Sequence, residues 1–176
     1  MKTTVLKVGA ALVLAGAMVG LSVVPANAYA FLGPKWGNSP VTMLQDSSNS
    51  AASRSAWRAG NADFNSMTDI KLESAAGSLA LIYQRSVSTA NVSWDGITYP
   101  KVLGGKYQAS TNMYLNTHFT GSYSNAKRRG VAAHELGHGL GLDHVPGCHL
   151  MNSATPSRCG IYRPTADEIA GVNKLY

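Results

Sequence analysis

Short apolar segments separated by polar turns occupy the middle of the chain, between residues 39 and 119. Asp95-Gly96 lies between two of these segments, where a hairpin turn is expected. Gly104-Gly105 and the serine-containing stretch 121–124 have the composition of loops. The pattern predicts strands at residues 39–45, 70–73, 79–84, 91–94, 97–99 and 113–119.

Three longer segments have the character of helices, namely residues 47–65, 125–140 and 165–175. Ser124 is a suitable N-cap for the second of them. Thr165 and Glu168 have the spacing of a capping box at the start of the third. This order of elements predicts an α+β fold, with a twisted mixed sheet of about five strands and three helices.

Residues 1–28 have the layout of a secretory signal peptide. Two lysines precede an apolar run over residues 8–24, and Pro25-Ala26-Asn27-Ala28 supplies a small-residue cleavage site. The alternative is a membrane anchor, but the glycines and alanines of the run and the helix-breaking Pro25 argue against it. We therefore expect residues 29–176 to form one secreted, extracellular domain that does not contact the membrane after signal removal.

The chain contains two cysteines, Cys148 and Cys159. An exported protein meets oxidising conditions, so we predict a disulfide bond between them. The bond would close a short loop and contribute up to about 3 kcal/mol to stability in the chain-entropy model.

The formal net charge of +6 becomes +4 when Lys2 and Lys7 leave with the signal peptide. The only basic cluster, Lys127-Arg128-Arg129, is too short to indicate nucleic-acid binding, and we expect it to be a solvated helix face. No short segment groups three acids, so a structural calcium site is possible but has no support in the sequence. We expect a monomer whose partners are peptides or proteins.

Three of the five histidines lie within one eleven-residue window, from His134 to His144. Residues i and i+4 share a helix face, so His134 and His138 can direct imidazole nitrogens at one metal ion. Glu135 is displaced by one residue, which places its carboxylate beside the metal as a general base. Gly141 allows the sharp turn that brings His144 back as a third ligand. Three protein ligands and an open position describe a catalytic zinc site.

The alternative explanation is an amphipathic helix that carries surface histidines. Glycines at 137, 139 and 141 speak against it, since each costs a helix about 1 kcal/mol relative to alanine. A stretch selected for helix stability would not contain all three. The glycines instead favour a site that constrains the backbone.

The window resembles the metzincin pattern H-E-x-x-H-x-x-G-x-x-H, and residues 131–144 are most similar to the matrixin branch. The resemblance implies a zincin fold and a Met-turn in which Met151 lies beneath the zinc without ligating it. It also implies that the closing helix braces this turn through Asp167 and Glu168. The similarity is close over residues 131–176 and weaker before them.

Two features depart from the matrixin pattern. Matrixins usually carry a prodomain whose cysteine caps the zinc, and the 28–30 residues before the expected cleavage leave no room for one. The cysteine pair around Met151 is similar to that of snapalysin-type secreted bacterial proteases. Those proteases use aspartate as the third zinc ligand, whereas this sequence has His144, with Asp143 as its neighbour.

The resemblance implies a zinc metalloendopeptidase that binds one catalytic zinc ion and hydrolyses peptide bonds with zinc-activated water and Glu135 as general base. It also implies that residues 152–156 wall the pocket for the side chain after the scissile bond. A zinc hydrolase of another amide bond, such as one in cell wall, and an inactive zinc-binding protein are the alternatives. A substrate-binding edge strand cannot be chosen from the sequence.

Three further side chains are candidates for the site. His118 and His149 could be additional ligands, although lone histidines are more often structural. Tyr162 could stabilise an oxyanion, but a packing role is favoured because nothing in the sequence fixes its position.

Overall fold

A computed structural model describes residues 29–37, 39–76 and 79–176. The predicted signal peptide lies outside the described residues and stays a prediction. The strands are β1 (Ala30–Phe31), β2 (Val41–Gln45), β3 (Leu72–Ser74), β4 (Ile82–Val87), β5 (Gly96–Tyr99), β6 (Val102–Leu103), β7 (Lys106–Tyr107), β8 (Thr111–Asn116) and β9 (Leu142–Asp143). The helices are α1 (Ala51–Met67), α2 (Thr117–Thr120), α3 (Asn125–Gly139) and α4 (Ala166–Leu175), with a 3₁₀ turn at Thr155–Arg158.

The central sheet has five strands in the order β3-β2-β4-β8-β5. The first four are parallel to their neighbours, whereas β5 is antiparallel to β8 and forms an edge. The hairpin β6–β7 and the pair β1–β9 are separate two-stranded units. The predicted α+β class and the five-stranded mixed sheet are confirmed, and α2 is a fourth, single-turn helix that the sequence did not predict.

The prediction for the segment before β5 was wrong. Residues 91–94 form no strand, and Gly96 begins β5 instead of closing a hairpin turn. The carbonyl groups there are satisfied by Asn116, whose backbone N–H donates to Asp95 O at 2.9 Å and whose amide donates to Trp94 O at 3.2 Å. Because β5 pairs with β8, no strand at 91–94 is needed to complete its hydrogen bonds.

Helix α3 lies against α1 on one side and against β5 and β8 on the other. Gly60 of α1 allows this close approach, since a Cβ there would stand 3.2 Å from Ala133 N. Ser124 caps α3 as predicted, accepting from Lys127 N at 3.2 Å. The apolar core around α3 contains Trp57, Phe64, Met113, Leu115 and Leu136, all fully buried.

The basic cluster at the start of α3 does not form the solvated face that the sequence suggested. Arg128 is buried and donates hydrogen bonds to Thr120 O and Tyr123 O at 2.9 and 2.8 Å. Arg129 forms an ion pair with the buried carboxylate of Asp63 on α1. These two charges are therefore used to join structural elements. Among the described residues, no helix has both the length and the apolar character needed to cross a bilayer.

Candidate active site

The end of α3 and the turn after it bring three histidines together. His134 and His138 lie one turn apart on α3, which ends at Gly139. Gly141 has φ +103°, and a Cβ there would be strained and would stand 2.8 Å from Pro34 O. This turn, predicted from the sequence, lets the chain double back so that His144 faces the other two rings.

The histidine nitrogens have the spacing that a tetrahedral zinc ion requires. Nε2 of His144 lies 3.3 Å from Nε2 of His134 and 3.0 Å from Nε2 of His138. Zinc–nitrogen bonds of about 2.0–2.1 Å in tetrahedral geometry separate two ligand nitrogens by about 3.3–3.4 Å. The three residues form the one group of three or more potential metal ligands within the described part of the chain. Their geometry fits zinc.

Two of the rings are oriented by backbone carbonyl groups. His134 Nδ1 donates to Leu150 O at 2.8 Å, and His138 Nδ1 donates to Leu142 O at 2.9 Å. Since a carbonyl oxygen only accepts, each Nδ1 carries the proton and each Nε2 presents a lone pair to the shared centre. The tautomer is therefore the one that metal binding needs.

The same environment keeps the histidines neutral. Burial lowers the pKa of His134 well below its ordinary value and lowers the pKa of His138 to about 4. Burial also lowers the pKa of His144, although Asp143 opposes the shift. Neutral imidazole is the form that binds metal, so protons compete weakly for these nitrogens at neutral pH.

Glu135 is buried and points away from α3 toward strand β5. Its Oε2 accepts a hydrogen bond from Thr98 Oγ1 at 2.7 Å, and the same hydroxyl lies 3.0 Å from Glu135 O. Burial raises the pKa of Glu135 to about 8, while the Thr98 hydrogen bond and the charge of Arg158 act in the opposite direction. A carboxyl group of this kind can take up and return protons near neutral pH.

Strand β5 supplies two site residues that the sequence reasoning missed. A Cβ on Gly96 would stand 2.6 Å from Glu135 Oε1 and 2.7 Å from Val131 Cγ1, so only glycine leaves room for the carboxylate. Thr98 then holds that carboxylate by its hydroxyl. The interpretation of Asp95-Gly96 as a turn concealed both roles, and no local pattern relates residue 98 to residue 135.

Met151 lies directly beneath the histidine-bearing turn of α3. It is buried, and a Cβ on Gly137 would stand 2.4 Å from its sulfur atom. Met151 N donates to Glu168 Oε1 at 3.1 Å, and Glu168 Oε2 accepts from Thr165 N at 2.8 Å. Glu168 therefore connects the start of α4 to the turn at Met151. The sulfur atom of Met151 leaves no room for a side chain at residue 137, which explains the glycine there.

The two acidic residues at the start of α4, Asp167 and Glu168, make different contacts. Glu168 is buried at the Met151 turn, whereas Asp167 is half-buried and lies 3.8 Å from His149 Nδ1. Glu168 thus braces Met151 itself, whereas Asp167 contacts the loop two residues earlier, at His149. His149 takes no part in the histidine cluster.

The predicted disulfide bond is present between Cys148 and Cys159, with the two Cα atoms 5.3 Å apart. It closes the loop that contains Met151 and the wall residues after it. Arg158, next to Cys159, is buried and donates from Nε to Asn152 O at 2.9 Å. Burial lowers the pKa of Arg158, and the charges of Asp95, Glu135 and Tyr123 oppose this shift.

The histidines and Glu135 open into a cleft of about 640 Å³. Its lining includes residues 93–98, residues 153–156 and Arg158. Tyr123, whose hydroxyl donates to Asp95 Oδ2 at 3.1 Å, also lines the cleft.

The histidine cluster does not include His118, Tyr162 or Asp143. His118 belongs to α2, not to a strand, and its exposed ring packs against Phe119. Tyr162 packs against Gly130, so the packing role that the sequence favoured agrees with the structure. Asp143 accepts a hydrogen bond from His144 N at 2.7 Å and does not belong to the ligand cluster.

A mixed sheet, a helix with two histidines and a glutamate, and a third histidine after a glycine turn define the metzincin class of metalloproteases. Residues 42–176 match the family model of the matrixins. The chain therefore belongs to the matrixin family, whose members are zinc-dependent peptidases. A search of curated proteins finds no match.

Proposed function

We propose that the protein is a secreted zinc endopeptidase in which His134, His138 and His144 hold one catalytic zinc ion and Glu135 is the general base. The observation that carries this proposal is the convergence of three histidine Nε2 atoms in one cleft that also contains the Glu135 carboxylate. Membership of the matrixin family supports the same reaction.

When bound, zinc supplies Lewis-acid activation of water and of the scissile carbonyl group. Glu135 takes the proton of the attacking water and returns it to the leaving amine. Thr98 positions the carboxylate for both transfers by its 2.7 Å hydrogen bond. Met151 gives the centre an apolar floor, and the Leu150 and Leu142 carbonyl groups hold the rings that face it.

We propose β5 as the strand to which the substrate binds. Within the described residues β5 pairs with β8 alone, so its other edge is free, and Gly96, Ile97 and Thr98 line the cleft. An extended peptide added to this edge gains main-chain hydrogen bonds without regard to its sequence. Residues 153–156, which line the same cleft, then contact the side chain that follows the scissile bond.

Secretion is supported by two observations. Residues 1–28 have the layout of a signal peptide, and the Cys148–Cys159 disulfide is of the kind that forms in oxidising compartments. Expression with the native leader, followed by N-terminal sequencing of protein from the medium, checks this part of the proposal. Retention of the protein inside the cell would contradict it.

The test of the catalytic proposal compares wild type with Glu135→Gln, using Glu73→Gln on an exposed strand position as the matched control. All three proteins are expected to contain one zinc ion per chain by metal analysis. Wild type and the control are expected to cut casein, and a chelator is expected to stop them. Glu135→Gln is expected to cut casein about a thousandfold more slowly than wild type. A general base contributes about 10²–10⁴-fold to the rate, and an amide cannot take up the proton.

Cleavage of casein by Glu135→Gln at the wild-type rate would refute the role of Glu135. Wild-type protein that holds zinc and cuts cell wall but no protein would favour the other amide hydrolase. Zinc binding without any hydrolysis in either assay would favour an inactive zinc-binding protein.

A further inference from the structure

Arg158 is the one lysine or arginine among the described residues that line the cleft. It belongs to the 3₁₀ turn after Met151, and its side chain is 1% exposed. A cation at such depth in a substrate cleft is unusual because desolvation disfavours an unpaired charge.

The hydrogen-bonding capacity of Arg158 is largely unused. Nε donates to Asn152 O at 2.9 Å, which fixes the direction of the side chain. Nη1 is buried and has no hydrogen-bond partner among the described residues. The guanidinium group is therefore held at Nε and has an unpartnered terminal nitrogen, so it can donate a hydrogen bond to an acceptor on a bound ligand.

The carboxylates nearby do not fill that role. Asp95 acts on Arg158 electrostatically, but it accepts its hydrogen bond from the Tyr123 hydroxyl at 3.1 Å. Glu135 is held by Thr98 on the other side. Among the described residues, no ion pair within 4.0 Å includes Arg158.

We propose that Arg158 selects peptides that carry an acidic side chain, aspartate or glutamate, directly after the scissile bond. This inference rests on the proposed peptidase function. Thr155 and Pro156, which precede Arg158, form the wall assigned to that side chain, so the guanidinium lies within the same pocket. A carboxylate would accept from the terminal nitrogens in a charge-assisted pair.

An aliphatic side chain is the competing occupant, because Trp94, Phe119 and Pro156 also line the cleft. Such a side chain would seal the guanidinium from water without giving it a partner. A pocket with a buried polar group rejects analogues that leave the group unsatisfied more strongly than an apolar pocket rejects a change of size. An acidic side chain is therefore favoured over an aliphatic one as the occupant of this pocket.

The test uses three peptides that are identical except for glutamate, glutamine or methionine after the scissile bond. Zinc-loaded wild type is expected to prefer glutamate to methionine by about tenfold to a hundredfold in kcat/KM, with glutamine between them. In Arg158→Met the glutamate-to-methionine ratio is expected to fall to about one or below, and Arg158→Lys is expected to keep part of the preference. The ratio within one variant does not depend on how much of that variant is folded.

Arg163→Met is the matched control, because Arg163 pairs with Asp63 and does not line the cleft. Its glutamate-to-methionine ratio is expected to equal that of wild type. Asp95→Asn is expected to increase the preference for glutamate, since it removes a negative charge near the incoming carboxylate. A wild-type enzyme that cuts the methionine peptide as fast as the glutamate peptide would overturn the proposal for Arg158 and leave the peptidase function intact.

The affinity of the same peptides for zinc-loaded Glu135→Ala protein gives a second readout that does not depend on turnover. Tighter binding of the glutamate peptide, lost in Glu135→Ala/Arg158→Met, supports the role of Arg158 even if no peptide is cut by wild type. Equal affinities for the glutamate and methionine peptides overturn it. Absence of cleavage by wild type counts against the proposed function alone.

Discussion

The two walls of the cleft are built in different ways. The histidine wall comes from eleven consecutive residues, 134–144, folded as the end of α3 and a turn. The other wall, called here the β5 wall, combines strand β5 with the segment before it and the turn after Met151, which is far away in the chain. One wall is a local structure, and the other exists only when the fold is complete.

The hydrogen bonds of the two walls differ in the same way. His134 and His138 are oriented by the backbone carbonyl groups of Leu150 and Leu142, which side-chain substitutions leave in place. Glu135 is held by the hydroxyl of a single side chain, Thr98, and by the space that Gly96 leaves. Metal binding should therefore survive changes in β5 that remove catalysis.

The largest expected effect is on the histidine wall. His138→Ala removes one of the three proposed ligands, so we expect loss of stoichiometric zinc and of all measurable peptidase activity. The measurement is metal content after dialysis, together with casein cleavage. His118→Ala is the control, since His118 is exposed on α2 and is expected to leave both quantities unchanged. Full zinc occupancy in His138→Ala would contradict the ligand assignment.

The second largest effect is expected on the β5 wall, where a substitution should remove catalysis without removing zinc. A methyl group on Gly96 would stand 2.6 Å from Glu135 Oε1, so Gly96→Ala must displace the carboxylate. We expect a hundredfold or greater loss in kcat with zinc retained, because misplacing a catalytic group by about 1 Å costs about 10²-fold. Gly37→Ala is the matched control, since its Cβ would meet only the Lys106 side chain, at 3.5 Å. Loss of zinc in Gly96→Ala would show that the two walls are not separable.

This difference also explains what the sequence could predict. The histidine wall depends on spacing along one helix and one glycine turn, so His134, His138, His144 and the turn at Gly141 could be predicted from the residues alone. The capping box at Thr165 and the pairing of Cys148 with Cys159 were local inferences of the same kind, and the structure contains both.

The opposite wall could not be predicted, because its features arise from contacts between distant residues. Gly96 was interpreted as a turn residue on local grounds, whereas its actual constraint is the Glu135 side chain packed against it. Arg128 and Arg129 were expected in solvent, but carbonyl groups of the α2–α3 connection and Asp63 of α1 bind them. Periodicity records which positions are apolar and contains no information on such partners.

The third effect is smaller and concerns one hydrogen bond. Thr98→Val keeps the shape and strand preference of the residue and removes the donor to Glu135 Oε2. We expect kcat to fall about tenfold with zinc content unchanged, as for loss of one charge-assisted hydrogen bond. Thr98→Ser is expected to restore most of the rate because it returns the hydroxyl. A valine variant as active as wild type would remove Thr98 from the positioning role.

The smallest effect concerns the packing behind the histidine wall, where two opposing contributions to the free energy of unfolding nearly cancel. Gly139→Ala gains about 1 kcal/mol of helix propensity. The added Cβ would stand 1.8 Å from Met113 Cε, however, and overpacking costs about 1–3 kcal/mol. We expect a net loss of about 1 kcal/mol in the free energy of unfolding, measured by denaturant titration at a fixed excess of zinc.

The double variant Gly139→Ala/Met113→Ala decides whether that contact is the cause. Met113→Ala alone should cost about 2–5 kcal/mol by leaving a cavity. The alanine methyl at 139 would then enter part of the vacated space without a clash, so the double variant should be more stable than the sum of the two single effects predicts. Strict additivity would mean that the cost of the methyl group at 139 does not come from its contact with Met113.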